Sequence, residues 1–223
     1  MFVAFDTETT GLPRSWQAPP SDVDNWPRVV QLAWEFFDLC GRKVLTRCDL
    51  IRPDGFTIPK DAEIVHGIST SVAIRKGLPI ANALDEFMKP LAVACVLVAH
   101  NVKFDANVVG AEFYRLKLRD PLPDKASICT MEASTEHCAL PGRYGFKWPT
   151  LPELHFRLFN SAVTEAHDAA ADVAACSKCF VELRRLRVVA VPSLDAAACS
   201  ECRVALECLG IVCTSRDRRL TTR

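Results

Sequence analysis

The sequence predicts an α/β fold on a mixed β-sheet: an antiparallel three-stranded meander extended by parallel strands and flanked by helices. Three stretches predict it. Residues 2–5 (Phe-Val-Ala-Phe) form an apolar run of the length expected of a buried central strand. Residues 29–38 make a second, strongly apolar strand, and Gly41 and Arg42 turn the chain back into a third around residues 44–51. Residues 93–99 then make another buried strand, followed by a helix and a short strand at 127–130, the order of a parallel crossover.

Taken in order, the first strand ends in two acids, Asp6 and Glu8, with Thr7 between them. Alternate residues of a strand share a face, so the two carboxylates project together, roughly 7 Å apart at their roots. Such a pair repels itself and resists desolvation, and a hard divalent cation would compensate it. Thr9, Thr10 and Gly11 then turn the chain. Residues 14–28 are rich in Pro and Asp and read as a long loop leaving the acidic strand end. Trp16 and Trp26 in that loop have faces that can stack on bases, although anchoring a loop is the commoner use of such residues. A short helix is expected at 61–66, ended by Gly67, and a second at 80–91 with Ala81, Leu84, Phe87 and Met88 on one face.

The strand at 93–99 runs into His100, Asn101, Phe104 and Asp105, and a helix is expected from about Asp105 to Leu116. Asp105 thus stands where the carboxyl ends of strands in α/β sheets meet ligands, although a lone Asp at a helix start is most simply an N-cap. Residues 138–150 read as a loop carrying Arg143, Tyr144, Lys147 and Trp148, a composition suited to phosphates and stacked bases and equally to rim packing. Helices follow at 151–159 and, Ala-rich, at 169–191, the latter capped by Asp168 and ended by Pro192. Asp172 falls in its first turns and His167 in the loop before it. A helix N-terminus favours nearby anionic groups.

Lys plus Arg (27) equals Asp plus Glu (27), so no global field marks the chain as a nucleic-acid binder, while a local basic groove stays open. The 11 Cys are scattered and odd in number, and Met1 leads straight into the first strand. A reducing, cytoplasmic compartment with free thiols is expected, with no membrane span and with Cys40, Cys95, Cys129 and Cys138 serving as small apolar residues. Cys176-x-x-Cys179 and Cys199-x-x-Cys202, with Cys208 and Cys213, have zinc-like spacing, but the first pair lies mid-helix and no knuckle turn separates either pair. Residues 192–223 differ in composition, ending in an Arg-rich stretch, and are expected to form a weakly structured or helical appendage to a domain spanning 1–191.

Asp6-Thr7-Glu8, His100-Asn101-x-x-Phe104-Asp105 and His167-Asp168-Ala169-x-x-Asp172 together resemble the three motifs of the DEDDh family, the DnaQ-like 3′-to-5′ exonucleases on a ribonuclease H-like fold. The resemblance implies Asp6, Glu8, Asp105 and Asp172 as ligands of two divalent cations, Mg²⁺ or Mn²⁺, and His167 as general base. It implies hydrolysis of phosphodiester bonds from the 3′ end of single-stranded or frayed DNA, with release of nucleoside 5′-monophosphates. Thr9 and Leu12 are then expected near the terminal nucleotide. His66 is expected either there or as a helix C-terminal histidine favoured by the dipole, with Arg143, Lys147 and Trp148 along the strand. His100 is expected to order the Asp105 turn rather than to ligate. A replication or repair partner such as a DNA polymerase fits a family whose members often act in trans. The alternatives are an exoribonuclease and a silent binding module of the same fold.

Overall fold

The computed structural model describes residues 1–38, 41–162 and 168–191. A five-stranded sheet has the order β3-β2-β1-β4-β5. Strands β1 (Phe2–Thr9), β2 (Val29–Phe37) and β3 (Lys43–Leu50) form the expected antiparallel meander. Strands β4 (Val96–Ala99) and β5 (Ala126–Cys129) add in parallel beyond β1, as the crossover pattern in the sequence predicts. Helices α1 (Lys60–His66) and α2 (Thr70–Lys76) follow the meander. Next come α3 (Ile80–Val93) before β4, α4 (Val102–Arg115) after it, and the one-turn helices α5 (Thr130–Ala133) and α6 (Thr135–Cys138) after β5. A two-residue hairpin, β6 (Pro141–Gly142) and β7 (Gly145–Phe146), leads to α7 (Leu151–Phe159) and α8 (Ala169–Arg185).

The strand period of two divides the core between the faces of the sheet. Val3, Phe5, Trp34 and Leu97 pack with Leu84 and Phe87 of α3 and Val109 and Phe113 of α4. Phe2, Ala4, Ala33 and Val98 pack with Leu154 of α7 and Val173, Cys176 and Phe180 of α8. Phe2 stacks on Phe37 at 4.5 Å and meets Phe180 edge-on at 4.8 Å. On β1 the even-numbered residues therefore face α8 and the odd-numbered ones face α3 and α4.

Several elements differ from expectation. Helix α8 stops at Arg185 rather than 191: Arg187 takes a left-handed φ of 59°, and Arg187 and Val188 donate their N–H groups back to the Arg184 and Leu183 carbonyls. That closure returns Val189 and Val191 to the core. Helix α4 begins three residues before Asp105, because Asn101 adopts a left-handed φ of 75° and turns the strand directly into the helix. Asp105 is consequently not an N-cap. Helix α3 takes up Val93, which shortens the strand expected from that residue. The small helix α2 is capped by Ser69, which accepts from the Val72 N–H. Cys95 is exposed, whereas Cys129, Cys138, Cys176 and Cys179 are buried and free, the last pair packing along α8. Cys40, His167, Pro192 and the tail lie outside the described residues. No helix among the described residues is long and apolar enough to cross a membrane.

Candidate active site

Strand β1 runs past the end of its parallel neighbour: the β1–β4 ladder covers only Phe2, Val3 and Ala4. Its last residues project from the carboxyl edge of the sheet, and the register slips between Glu8 and Thr9, a bulge of the kind that re-aims side chains beside sites. Asp6 and Glu8, being even-numbered, face α8. The N-terminus of that helix is held over them by Gln31 of β2, whose Oε1 accepts from the buried Ala169 N–H at 3.1 Å. Asp168 caps the helix as expected, accepting from Ala170 N at 2.9 Å and Ala171 N at 3.2 Å, and Asp172 follows in its first turn. One carboxylate oxygen from each of Asp6, Glu8 and Asp172 lies within 4.8 Å of the others.

Asp105 arrives from the opposite face of the sheet. The overhang leaves the Thr7 N–H without a partner on β4, and Asp105 Oδ1 accepts from it at 3.0 Å and from the Thr7 hydroxyl at 2.7 Å. Thr7, which carries no signal of its own in the sequence, thus joins the two halves of the site.

The electrostatics are strained. Burial, then Asp105, Asp172 and Glu8, hold the Asp6 carboxyl well above its ordinary range. Burial, Asp172 and Asp105 push Glu8 up to about 7. Burial raises Asp105 to about 7 although the Thr7 hydrogen bonds pull it down. Hard oxygen donors this close, each made costly by its neighbours, suit a divalent cation of the Mg²⁺ or Mn²⁺ kind. The residues present fit such an ion.

Around this centre, Thr9 Oγ1 donates to the Gly11 carbonyl at 2.7 Å and shapes the turn that leaves Leu12 exposed. His66 ends α1, as its position before the left-handed Gly67 implied. Its Nδ1 accepts from the Ile68 N–H at 3.1 Å, which places the neutral proton on Nε2. That buried Nε2 lies beside the Thr9 backbone; burial lowers the His66 pKa, and the Thr9 backbone bond opposes it. Arg143 lies at the tip of the β6–β7 hairpin, over the Tyr144 ring, while Lys147 pairs with Glu153 and Trp148 stands exposed. His100 connects this segment to the sheet: its Nε2 donates to the Pro149 carbonyl at 3.0 Å, so its Nδ1 accepts from the Thr130 hydroxyl at 3.0 Å. Burial lowers His100 to about 4, which keeps it neutral. Rather than the Asp105 turn, it orders the segment before α7, tying Pro149 to Thr130, and it is not part of the carboxylate cluster.

The chain matches the model of the RNase_T family, described as Exonuclease, over residues 3–180. It is 31% identical over 185 residues to the DNA polymerase III subunit epsilon of Treponema pallidum (strain Nichols), an alignment covering 82% of this chain and 75% of the relative. Among solved structures it resembles E. coli exonuclease I in complex with a dA16 oligonucleotide, with a TM-score of 0.63 and 22% identity over 84% of this chain and 41% of that one. The complex of the same enzyme with a dT13 oligonucleotide gives a TM-score of 0.63 at 24% identity, again over 84% of this chain and 42% of that one. At such identities the likeness is one of fold, and the chain spans about two-fifths of the length of exonuclease I.

Proposed function

The chain belongs to the exonuclease family as a DnaQ-like 3′-to-5′ exonuclease, and from that premise we propose that it removes nucleotides from single-stranded or frayed DNA 3′ ends by two-metal catalysis. The observation that carries this reading is the convergence of Asp6, Glu8 and Asp172 within 4.8 Å, with Asp105 tied to the residue between the first two. Asp6, Glu8, Asp105 and Asp172 would hold two divalent cations, Mg²⁺ or Mn²⁺. Such a pair supplies an activated water, charge relief at phosphorus and a stabilised 3′ leaving oxygen. His167, directly before the Asp168 cap in the sequence, takes the proton of the attacking water; an imidazole, whose ordinary pKa lies near neutrality, suits a base at working pH. Thr9, Leu12 and His66 hold the terminal nucleotide. Arg143, Lys147 and Trp148 guide the strand behind it.

DNA is favoured over RNA by the relatives: one is a DNA polymerase subunit and the other was crystallised with deoxyoligonucleotides. The same resemblance supports a replication or repair partner such as a DNA polymerase. Residues 1–191 are proposed as the nuclease domain and 192–223 as an appendage. The test is digestion of 5′-labelled single-stranded DNA, mismatched duplex and RNA with Mg²⁺. Wild-type protein is expected to shorten the DNA from its 3′ end. Asp6→Asn should lose activity by several orders of magnitude and His167→Ala by about 10²–10⁴-fold. Retention of near wild-type rates by either variant refutes the assignment.

A further inference from the structure

The loop between β1 and β2 contains two tryptophans, and the structure separates their roles. Trp26 is only 3% exposed, and its indole N–H donates to the Pro19 carbonyl at 3.0 Å; it anchors. Trp16 is 42% exposed, with its ring 5.7 Å from that of Phe104, the residue immediately before Asp105. The loop that carries it is tightly held. Asn25, itself buried, grips Ser15 on both backbone groups: its Oδ1 accepts from Ser15 N at 2.7 Å and its Nδ2 donates to Ser15 O at 2.9 Å. Arg115 of α4 donates to the Val23, Trp26 and Pro27 carbonyls, fixing the base of the loop. Pro20 lies so close to Gly110 of the same helix that a Cβ there would stand 3.1 Å from the Pro20 Cβ. Helix α4, whose first turn carries Asp105, is thus also the platform on which the Trp16 loop is mounted.

A large aromatic ring left part-exposed on a loop held at the residue before it offers a stacking face at little further ordering cost. We propose that Trp16 is a strand-binding residue, stacking a base of the single-stranded substrate beside the Asp105 edge of the site, with Asn25 as the residue that positions it. This deepens the exonuclease reading and rests on it. Stacking is indifferent to base identity, so the contact would favour unpaired strands over duplex without imposing a sequence.

The experiment uses the full chain and a 5′-labelled oligothymidylate, read both as binding with Ca²⁺ replacing the catalytic ion and as digestion with Mg²⁺. Trp16→Ala is expected to weaken binding and raise KM by about 5- to 150-fold, the equivalent of about 1–3 kcal/mol for one stacked base, with kcat at saturation moving far less. Trp16→Phe should recover most of the affinity and should remove a share of the tryptophan fluorescence quenching that strand binding produces in wild type. Asn25→Ala should follow Trp16→Ala in KM. Wild-type affinity in Trp16→Ala, or a loss carried by kcat that Phe does not restore, overturns the inference while leaving the exonuclease reading intact. A wild-type chain that neither binds nor digests the strand overturns both.

Discussion

Thr7 does for Asp105 what no neighbouring strand can. Where β1 outruns β4, its N–H would face an empty edge, and the Asp105 carboxylate fills that position and takes the Thr7 hydroxyl as well. A hydrogen bond to a charged group contributes about 1.5–3 kcal/mol, and a carboxylate oriented by two donors is presented to a cation in one pose. The near-isosteric Thr7→Val keeps the backbone bond and removes the other. It should raise the Mg²⁺ concentration needed for half-maximal digestion by about tenfold, as loss of a partner that orients a metal ligand commonly does. An unchanged Mg²⁺ requirement would show that the hydroxyl does not orient Asp105.

At the scale of elements, the N-terminus of α8 is set by three polar contacts rather than by propensity. Asp168 satisfies two orphan N–H groups, and Gln31 of β2 satisfies the N–H of Ala169 from the face of the sheet that α8 covers. Small residues let the helix lie close: Ala169 and Ala175 are buried in the core on that face of the sheet. Asp168→Ala is expected to cost about 1 kcal/mol of stability in urea unfolding. Because Asp172 sits on the turn that this cap holds, the same change should lower digestion as well. Thermal stability falling with activity intact would mean that Gln31 alone positions the turn. This element was legible in the sequence at its start, where cap, alanines and acid stand together, and illegible at its end. Arg187 carries no mark of the left-handed closure that stops the helix, since the closure follows from the core drawing Val189 and Val191 inward. The hairpin at 141–146 and helix α2 escaped for a similar reason: each is short and held by tertiary partners, such as the Thr70 hydroxyl donating to the Ile58 carbonyl.

For the molecule as a whole, the site is a liability that a cation relieves. Asp6, Glu8 and Asp105 are all raised in the folded state, the latter two to about 7, against ordinary values near 4. The folded protein then binds more protons than the unfolded chain between those values. The stability this contributes is fully present below about pH 4 and is lost as pH rises through about 7. Metal-free protein should melt at a lower temperature at pH 8 than at pH 5.5, each raised carboxyl contributing on the order of 1.4 kcal/mol per pKa unit. Mg²⁺ should raise the melting temperature more at pH 8 than at pH 5.5. Asp6→Asn should stabilise the metal-free protein at pH 8 while abolishing digestion, a site paying in stability for function. Differential scanning fluorimetry across pH, with EDTA or Mg²⁺, reads all three, and a melting temperature that rises toward pH 8 in EDTA would contradict the sign. By itself the sequence determined the strand order of the meander, the crossover beyond it and the Asp6–Glu8 pair, because alternation, apolar runs and paired carboxylates are local patterns that survive without a fold; Asp105 and Asp172 were marked only by the motifs they share with the family. Only the tertiary structure decided which face each acid occupies. The parity of β1 sends Asp6 and Glu8 toward α8 and Asp172, and Thr7 toward Asp105, and parity acquires a meaning only once helices cover both sides of the sheet.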